Sequence, residues 1–137
     1  MEMSLPRTRM IASAGRDARV GAALPQKRSS PVEIKAVAQS VAFSEEKMQK
    51  NALFDSPHLF YDAYCLLPGQ SQKVHAHEGS DKVYFVLRGT GRFTVGDEER
   101  DLFEGQAVIA RAGDPHGVRN ASEEDLVLLV TMAPRPS

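Results

Sequence analysis

Two histidines, His75 and His77, stand two positions apart in this chain. Side chains on a β-strand alternate between its faces, so residues at this spacing point the same way and lie about 6 to 7 Å apart along the strand. Two neutral imidazoles on one face can chelate a single metal ion. A third histidine, His116, follows much later in the sequence. It becomes a third ligand if its own strand faces the first pair.

The composition bounds the classes of protein to consider. The 137 residues amount to one domain, and a hydrophobic fraction of 42% is enough for a core. A net charge of -1 gives no electrostatic reason to expect nucleic-acid binding. No apolar run approaches the roughly 20 residues of a membrane span, so we expect no membrane association. The single cysteine, Cys65, rules out an intrachain disulfide and favours a reducing, cytoplasmic location.

The charge is unevenly distributed along the chain. Residues 1–30 carry six basic and two acidic residues, whereas the remainder carries eleven basic and sixteen acidic ones. The first segment also has few large apolar groups and is interrupted by proline and glycine, so it cannot bury enough surface to offset the entropy of ordering. We therefore predict a basic, disordered arm over 1–30 and one globular domain over 31–134.

Short β-type runs separated by turn residues fill the globular part. A first strand is predicted through Val32 and Ile34, a second at 41–43, and a helical turn at 44–50, where Ser44 is a good N-cap. The later strands are predicted at 58–67, 74–77, 83–87, 92–95, 100–103, 107–110, 116–119 and 126–132. About nine short strands with a turn signal every 8 to 12 residues indicate an all-β sandwich or barrel.

Two motifs in this arrangement resemble those of the cupin superfamily, over about residues 40–133. The first cupin motif runs glycine, five residues, His-x-His, three or four residues, glutamate, six residues, glycine. The second runs glycine, five residues, proline, one residue, glycine, two residues, histidine, three residues, asparagine. The matching positions are Gly69, His75, His77 and Gly89 in the first motif and Gly105, Gly113, His116 and Asn120 in the second.

The resemblance implies a double-stranded β-helix, the small jelly-roll barrel of the cupins. In that family the two histidines and the glutamate of the first motif and the histidine of the second bind a divalent metal inside the barrel. Carried over position by position, His75, His77 and His116 match metal ligands. The metal implied is a divalent transition ion such as Fe, Mn, Ni or Zn.

Two positions depart from the family pattern. Arg111 stands where the second motif has proline, a mild change because Gly113 and Pro115 can turn the loop instead. Lys82 stands where the first motif has its ligand glutamate. This change matters more, because a protonated lysine cannot ligate a divalent ion and its ammonium is repelled by one.

Three interpretations of Lys82 remain open. The metal is held by the three histidines plus water, with Lys82 turned aside and paired with Asp81, Glu78 or Glu104. Alternatively, the Lys82 ammonium fills the metal position, and the cavity binds an anion without metal. In the third interpretation a one-residue bulge shifts the register so that Asp81 supplies the missing carboxylate.

Lys82, Tyr84 and Arg111 are the candidate substrate-binding residues. With Lys82 inside the barrel and Arg111 at its mouth, the pocket prefers a carboxylate or another anion. Tyr84 is a candidate for stacking on a substrate, although an aromatic residue in such a strand more often belongs to the core.

Two classes of function follow, and the sequence leaves open whether the protein is an enzyme. A metal held by three neutral imidazoles keeps its full charge and suits dioxygenase or isomerase-type chemistry on a small, anionic organic molecule. Without a metal, the same pocket suits a binding or sensing module for small molecules. A purely structural or storage role through dimerisation leaves the motif histidines unexplained.

We also predict a homodimer. Small single-domain cupins usually pair, and the N-terminal strands predicted around 32–43 are placed to extend the sheet of a partner and cover its edge. The most apolar strand, 126–132, is either a core strand or part of the dimer interface.

Overall fold

The computed structural model describes residues 31–136. After a short 3₁₀ helix, Val37–Ser40, nine β-strands follow within that range. The strands are β1 (Gln49–Asp55), β2 (Phe60–Leu66), β3 (Ser71–His75), β4 (Asp81–Arg88), β5 (Gly91–Val95), β6 (Glu98–Leu102), β7 (Ala107–Ala110), β8 (His116–Arg119) and β9 (Leu126–Ala133). No helix in this range is long and apolar enough to cross a lipid bilayer.

The strands form two antiparallel sheets. The five-stranded sheet has the order β1-β2-β9-β4-β7, and the four-stranded sheet has the order β3-β8-β5-β6. Strands that are neighbours in a sheet are often distant in sequence, as β2 and β9 or β3 and β8 are, so the chain passes repeatedly from one sheet to the other. This arrangement confirms the predicted all-β double-stranded β-helix.

Large side chains from both sheets fill the space between them. Tyr64, Tyr84 and Val130 project from the five-stranded sheet and Phe93 and Val118 from the four-stranded sheet, each no more than 3% exposed. Burial of such an apolar side chain contributes about 1.5–3 kcal/mol. Strand β9 lies between β2 and β4, and most of its residues are buried. Its apolar composition is therefore that of a central core strand.

The predicted secondary structure of residues 31–50 is wrong. No strand forms through Val32 and Ile34, whose side chains are 84% and 85% exposed, or at 41–43. Residues 45–47 bend instead of forming a helical turn. The apolar residues of this stretch suggested strands, but a strand also needs a partner that supplies its hydrogen bonds.

Strand β1 was not predicted at all. Four of its seven residues are polar, and Leu53 is its one buried residue. It forms because β2 offers a free edge along which Gln49 to Asp55 pair with Cys65 to Phe60. Asn51 then donates from Nδ2 to the carbonyl oxygens of Ser40 and Ala42, at 2.8 and 3.3 Å, which ties the preceding segment to the sheet.

The predicted disordered arm, 1–30, lies outside the described residues. Its disorder and the boundary of the domain at 31–134 therefore stay predictions. The same holds for the homodimer and for the role of the N-terminal segment in a partner's sheet.

Gly117 marks the closest approach of β8 to β3. A Cβ atom added there would lie 2.8 Å from the backbone oxygen of Gln72 and 3.0 Å from Cα of Val74. Because both neighbours belong to the β3 backbone, they can yield only if the strands separate. The glycine therefore permits the tight pairing of the two strands.

We predict that Gly117→Ala lowers the unfolding free energy by about 1–3 kcal/mol, as expected for overpacking against fixed backbone. Urea unfolding followed by circular dichroism measures the change. Gly79→Ala is the matched control, because no atom lies within 4 Å of a Cβ added at Gly79. Equal stability of the two variants would contradict the proposed close packing.

Candidate metal centre

Two of the three candidate ligands come from paired strands. His75 is the last residue of β3 and His116 is the first residue of β8, and the two lie directly opposite each other in the antiparallel register. Directly opposed residues project to the same face with Cβ atoms about 4.5–5.5 Å apart. The pairing alone thus brings the two imidazoles together, with ring centroids 4.6 Å apart.

His77 joins them from outside the strand. The sequence prediction placed His77 on the same strand as His75, but β3 ends at His75. The segment is held instead by the loop before β8, where Gly113 donates its N–H to the His77 carbonyl oxygen at 2.8 Å. The His77 ring lies 4.8 Å from the His75 ring and 5.6 Å from the His116 ring.

Backbone carbonyls orient two of the imidazoles. Nδ1 of His75 lies 2.9 Å from the carbonyl oxygen of Lys73, and Nδ1 of His116 lies 2.9 Å from that of Asp114. A carbonyl oxygen only accepts hydrogen bonds, so each Nδ1 must carry the proton. Each Nε2 then has a free lone pair, which is the tautomer that binds a metal.

The donor set fits a metal ion. The candidate ligand atoms of His75, His77 and His116 lie within 4.8 Å of one another. Two nitrogens that each stand about 2.1 Å from one ion are at most about 4.2 Å apart, so a small inward rotation of the rings is sufficient. Nε2 of His116 is buried without a hydrogen-bond partner in the described structure, and such an atom gains from coordination.

The barrel interior also keeps His116 in its ligand form. Burial lowers the pKa of His116 to about 4, and the nearby Lys82 charge acts in the same direction. Burial and the neighbouring His75 lower the pKa of His77 as well. His116 is therefore neutral at pH 7, and little proton release opposes metal binding there.

Lys82 lies inside the barrel, 1% exposed. Its Nζ stands 5.2 Å from the ring centroid of Tyr64 and 5.1 Å from that of Tyr84, so two aromatic faces contact the ammonium group. The Tyr84 ring is in turn 6.2 Å from the His116 ring. Tyr84 therefore lies close to both the lysine and the histidine cluster.

The described residues show no acidic partner for Lys82. None of the salt bridges within 31–136 involves it, so the expected pairing with Asp81, Glu78 or Glu104 is not found there. Asp81 is exposed and accepts a hydrogen bond from the backbone N–H of Ala112 at 2.8 Å. Its carboxylate is not part of the histidine cluster, and the structure gives no support for the register shift.

The other two candidate substrate residues differ in position. Tyr84 is fully buried and donates from its hydroxyl to Oε1 of Gln72 at 2.7 Å, so it belongs to the core beside the histidines. Arg111 is exposed at the turn that leads into β8, where Asp114 donates its N–H to the Arg111 carbonyl. The structure thus brings Lys82 and Tyr84 together and leaves Arg111 at the surface.

Sequence reasoning missed several polar residues of this interior. Gln72 is 7% exposed, and its Nε2 is buried without a partner in the described structure. Tyr64 contacts Lys82 from β2, and Asp62 and Lys50 lie on the same side of that sheet. Gln72 is three residues before His75, so simple alternation would place it on the opposite face; the register shift between Gln72 and His75 changes this, and the sequence does not signal it. The others depend on cross-strand pairing that spacing does not reveal.

A cavity of about 490 Å³ opens elsewhere, between β5, β6 and β7. Its lining includes Phe93, Val95, Arg100 and Val108, and none of the three histidines. Val95 is nevertheless the register partner of His116, so the cavity lies one strand away from the histidine cluster.

A family model described as "Cupin domain" matches residues 63–132, which hold both histidine motifs. The chain is a cupin. The predicted family is thereby confirmed.

Relatives of this cupin include proteins of known structure. It is 52% identical to the TT1209 protein of Thermus thermophilus, with a TM-score of 0.75 over 77% of this chain and 100% of that one. A Klebsiella pneumoniae protein with a double-stranded β-helix domain is 22% identical, with a TM-score of 0.71 over 76% of this chain and 91% of that one, and shows the shared fold.

A relative with a named ligand is the "Oxalate-binding protein" of Thermotoga maritima. The cupin is 28% identical to it over 85 residues, which cover 62% of this chain and 69% of the relative.

The buried lysine predicts a pH-dependent stability in metal-free protein. Burial lowers the pKa of Lys82 from 10.5 to about 7, with a further lowering by Lys50. Between these values the unfolded chain holds a proton that the folded protein has lost, so the stability of the native protein rises with pH across this window. We expect Lys82→Met to be more stable by about 2–4 kcal/mol at pH 7, with the difference shrinking toward pH 10.

Urea unfolding at several pH values between 7 and 10, in the presence of a chelator, measures this difference. Lys73→Met, at an exposed lysine of β3, is the control and should leave the pH profile unchanged. If the difference in unfolding free energy between Lys82→Met and the native protein stays constant with pH, the prediction is contradicted.

Proposed function

We propose that this cupin binds one divalent transition metal through His75, His77 and His116, together with a small anionic organic molecule. The observation that carries the proposal is the convergence of three imidazoles whose ligand atoms lie within 4.8 Å of one another. Iron, manganese, nickel and zinc all accept imidazole ligands. The three protein ligands leave a coordination position open, as is typical of catalytic rather than structural sites.

Lys82 supports an anionic ligand. Its ammonium is buried beside the histidines and has no carboxylate partner among the described residues. The Asp62 charge acts to raise the pKa of Lys82, but burial outweighs it, so that the pKa is still lowered to about 7. An anionic ligand offsets the remaining cost of the buried ammonium. The relative named as an oxalate-binding protein supports a small carboxylate as the chemical class.

The remaining substrate residues have distinct proposed roles. Tyr84 would hold the Lys82 ammonium against its ring and form one wall of the site. Arg111, exposed before β8, would attract an anion at the mouth of the barrel. A bound metal would polarise a carbonyl or an enolate, which suits dioxygenase or isomerase-type chemistry if the protein is an enzyme.

A metal-free binding or sensing cupin is the alternative function. The observation that favours it is the ammonium of Lys82 at the position of the family's ligand glutamate. In that case Lys82→Glu should create metal affinity that the native protein lacks.

The assembly and the location stay predictions. We propose a homodimer, which size-exclusion chromatography with light scattering tests directly. The cytoplasmic location rests on the single cysteine, Cys65, which is buried and free.

We predict close to one transition metal per chain in protein purified without chelators, as measured by emission spectrometry. His116→Ala should reduce the bound metal by at least about tenfold, because it removes one of three ligands. His58→Ala is the matched control, because His58 is exposed and outside the cluster. Absence of metal from the native protein, with no rise in melting temperature on adding Zn²⁺ or Ni²⁺, would reject the metal centre.

We predict that Lys82→Met weakens carboxylate binding by about tenfold or more, as expected for the loss of a buried charged partner worth about 1.5–3 kcal/mol. Isothermal titration with oxalate measures the affinity, and bound metal is quantified on the same samples. Lys73→Met should bind oxalate as the native protein does. Unchanged affinity in Lys82→Met, with metal retained, would assign anion binding to the metal alone.

A further inference from the structure

A second lysine reaches the same aromatic ring as Lys82. Lys50 of β1 lies directly opposite Tyr64 of β2 in the sheet, and its Nζ stands 5.5 Å from the centre of the Tyr64 ring. Nζ of Lys82, which comes from β4, is 5.2 Å from the same centre. Two ammonium groups from different strands therefore converge on one tyrosine.

These two groups face the histidines. In the five-stranded sheet, Lys50 pairs with Tyr64, and Tyr64 and Lys82 both project to the buried inner side. The three histidines belong to β3, β8 and the segment after β3, on the opposite sheet.

The acidic groups nearby do not neutralise the pair. Asp62 shares the inner side with Lys50, and its pKa is raised by burial and by Asp55, although both lysines lower it. Asp55 itself pairs with Arg135 at 3.4 Å. Within 31–136, no salt bridge joins Lys50 or Lys82 to a carboxylate. Two lysine ammonium groups thus face one partly buried carboxylate, so the net charge of these three groups is positive before any metal binds.

Lys50 and Lys82 differ in exposure in a way that suits an elongated ligand. Lys82 is 1% exposed, whereas Lys50 is exposed at the edge strand β1. Packed sheets lie about 10 Å apart, so a short chain can extend from the histidines on one sheet to ammonium groups on the other. A ligand with a single carboxylate at the histidines would leave Lys50 without a partner.

We propose that Lys50 and Lys82 form a second anion subsite, which binds the far carboxylate of a short dicarboxylate whose near carboxylate lies at the three histidines. The subsite rests on the proposed function, in which this site takes a small anion. The subsite specifies the substrate class as short dicarboxylates. Lys50 would favour them over monocarboxylates by binding the second carboxylate.

Isothermal titration with succinate and butyrate, which match in chain length, tests the subsite at low salt, where the exposed Lys50 is least screened. The native protein should bind succinate at least tenfold more tightly than butyrate. Lys50→Ala should weaken succinate binding five- to tenfold and leave butyrate within twofold. Lys35→Ala, which removes an exposed lysine outside both sheets, should change neither ligand.

Three results would overturn the subsite. The native protein binds the two ligands equally, or it binds neither, or Lys50→Ala and Lys35→Ala weaken succinate binding to the same extent, which is a general effect of net charge. Lys50→Gln provides a second variant in case Lys50→Ala disturbs β1, and circular dichroism checks the fold of both.

Metal content measured on the same samples separates this inference from the proposed function. Bound metal without preference for succinate rejects the subsite alone. Preference for succinate that depends on Lys50, in protein that holds no metal, rejects the metal centre and retains the two lysines.

Discussion

The antiparallel pairing of β3 with β8 is the constraint on which the site depends. It sets His75 opposite His116, and the close approach at Gly117 allows the two strands to pair this tightly. Each of these imidazoles then donates from Nδ1 to a carbonyl two residues earlier in its own chain segment, that of Lys73 or Asp114. The backbone geometry of the two strand ends therefore fixes both the position and the tautomer of the rings. A metal needs the lone pair of a neutral nitrogen. The backbone of the paired strands therefore determines which ring nitrogen is available to coordinate it.

The low polarity of the barrel interior acts on the histidines and on Lys82 in the same direction. Burial disfavours the charged form of each base, so it lowers the pKa of His116 to about 4 and that of Lys82 to about 7. For a histidine this is helpful, because the neutral ring is the ligand. For the lysine it is a cost, which the rings of Tyr64 and Tyr84 partly offset by contact with the ammonium group. An interior built to keep imidazoles neutral thus holds an amine near its titration point.

The clustering of the three histidines could be predicted because their positions match the two motifs of the cupin superfamily, and this resemblance implied that they converge inside the barrel. The rest depends on pairing between distant segments. His77 lies beyond the end of β3 and is held by a hydrogen bond from Gly113. The alternation of side chains along a strand does not predict this contact. Strand β1 has only three apolar residues and forms because β2 has a free edge, so the position of Lys50 opposite Tyr64 could not be predicted. Lys82 on β4 and Tyr64 on β2 lie on strands that β9 separates in the sheet. They come into contact only because the lysine side chain is long enough to reach past β9.

The charge balance at the centre argues that metal and anion are not competing occupants. Three neutral imidazoles leave a divalent ion with its full charge, and the cupin pattern would reduce that charge with a glutamate. Here Lys82 adds positive charge instead. A bound metal therefore raises the electrostatic cost of the buried ammonium, and the ammonium weakens metal binding by the same free energy. An anionic ligand between the metal and the ammonium would reduce this mutual repulsion. By thermodynamic reciprocity, the metal then strengthens the binding of the anion as much as the anion strengthens that of the metal. In the proposed site, the lysine at the position of the family's ligand glutamate would thus make the binding of the metal depend on the anion.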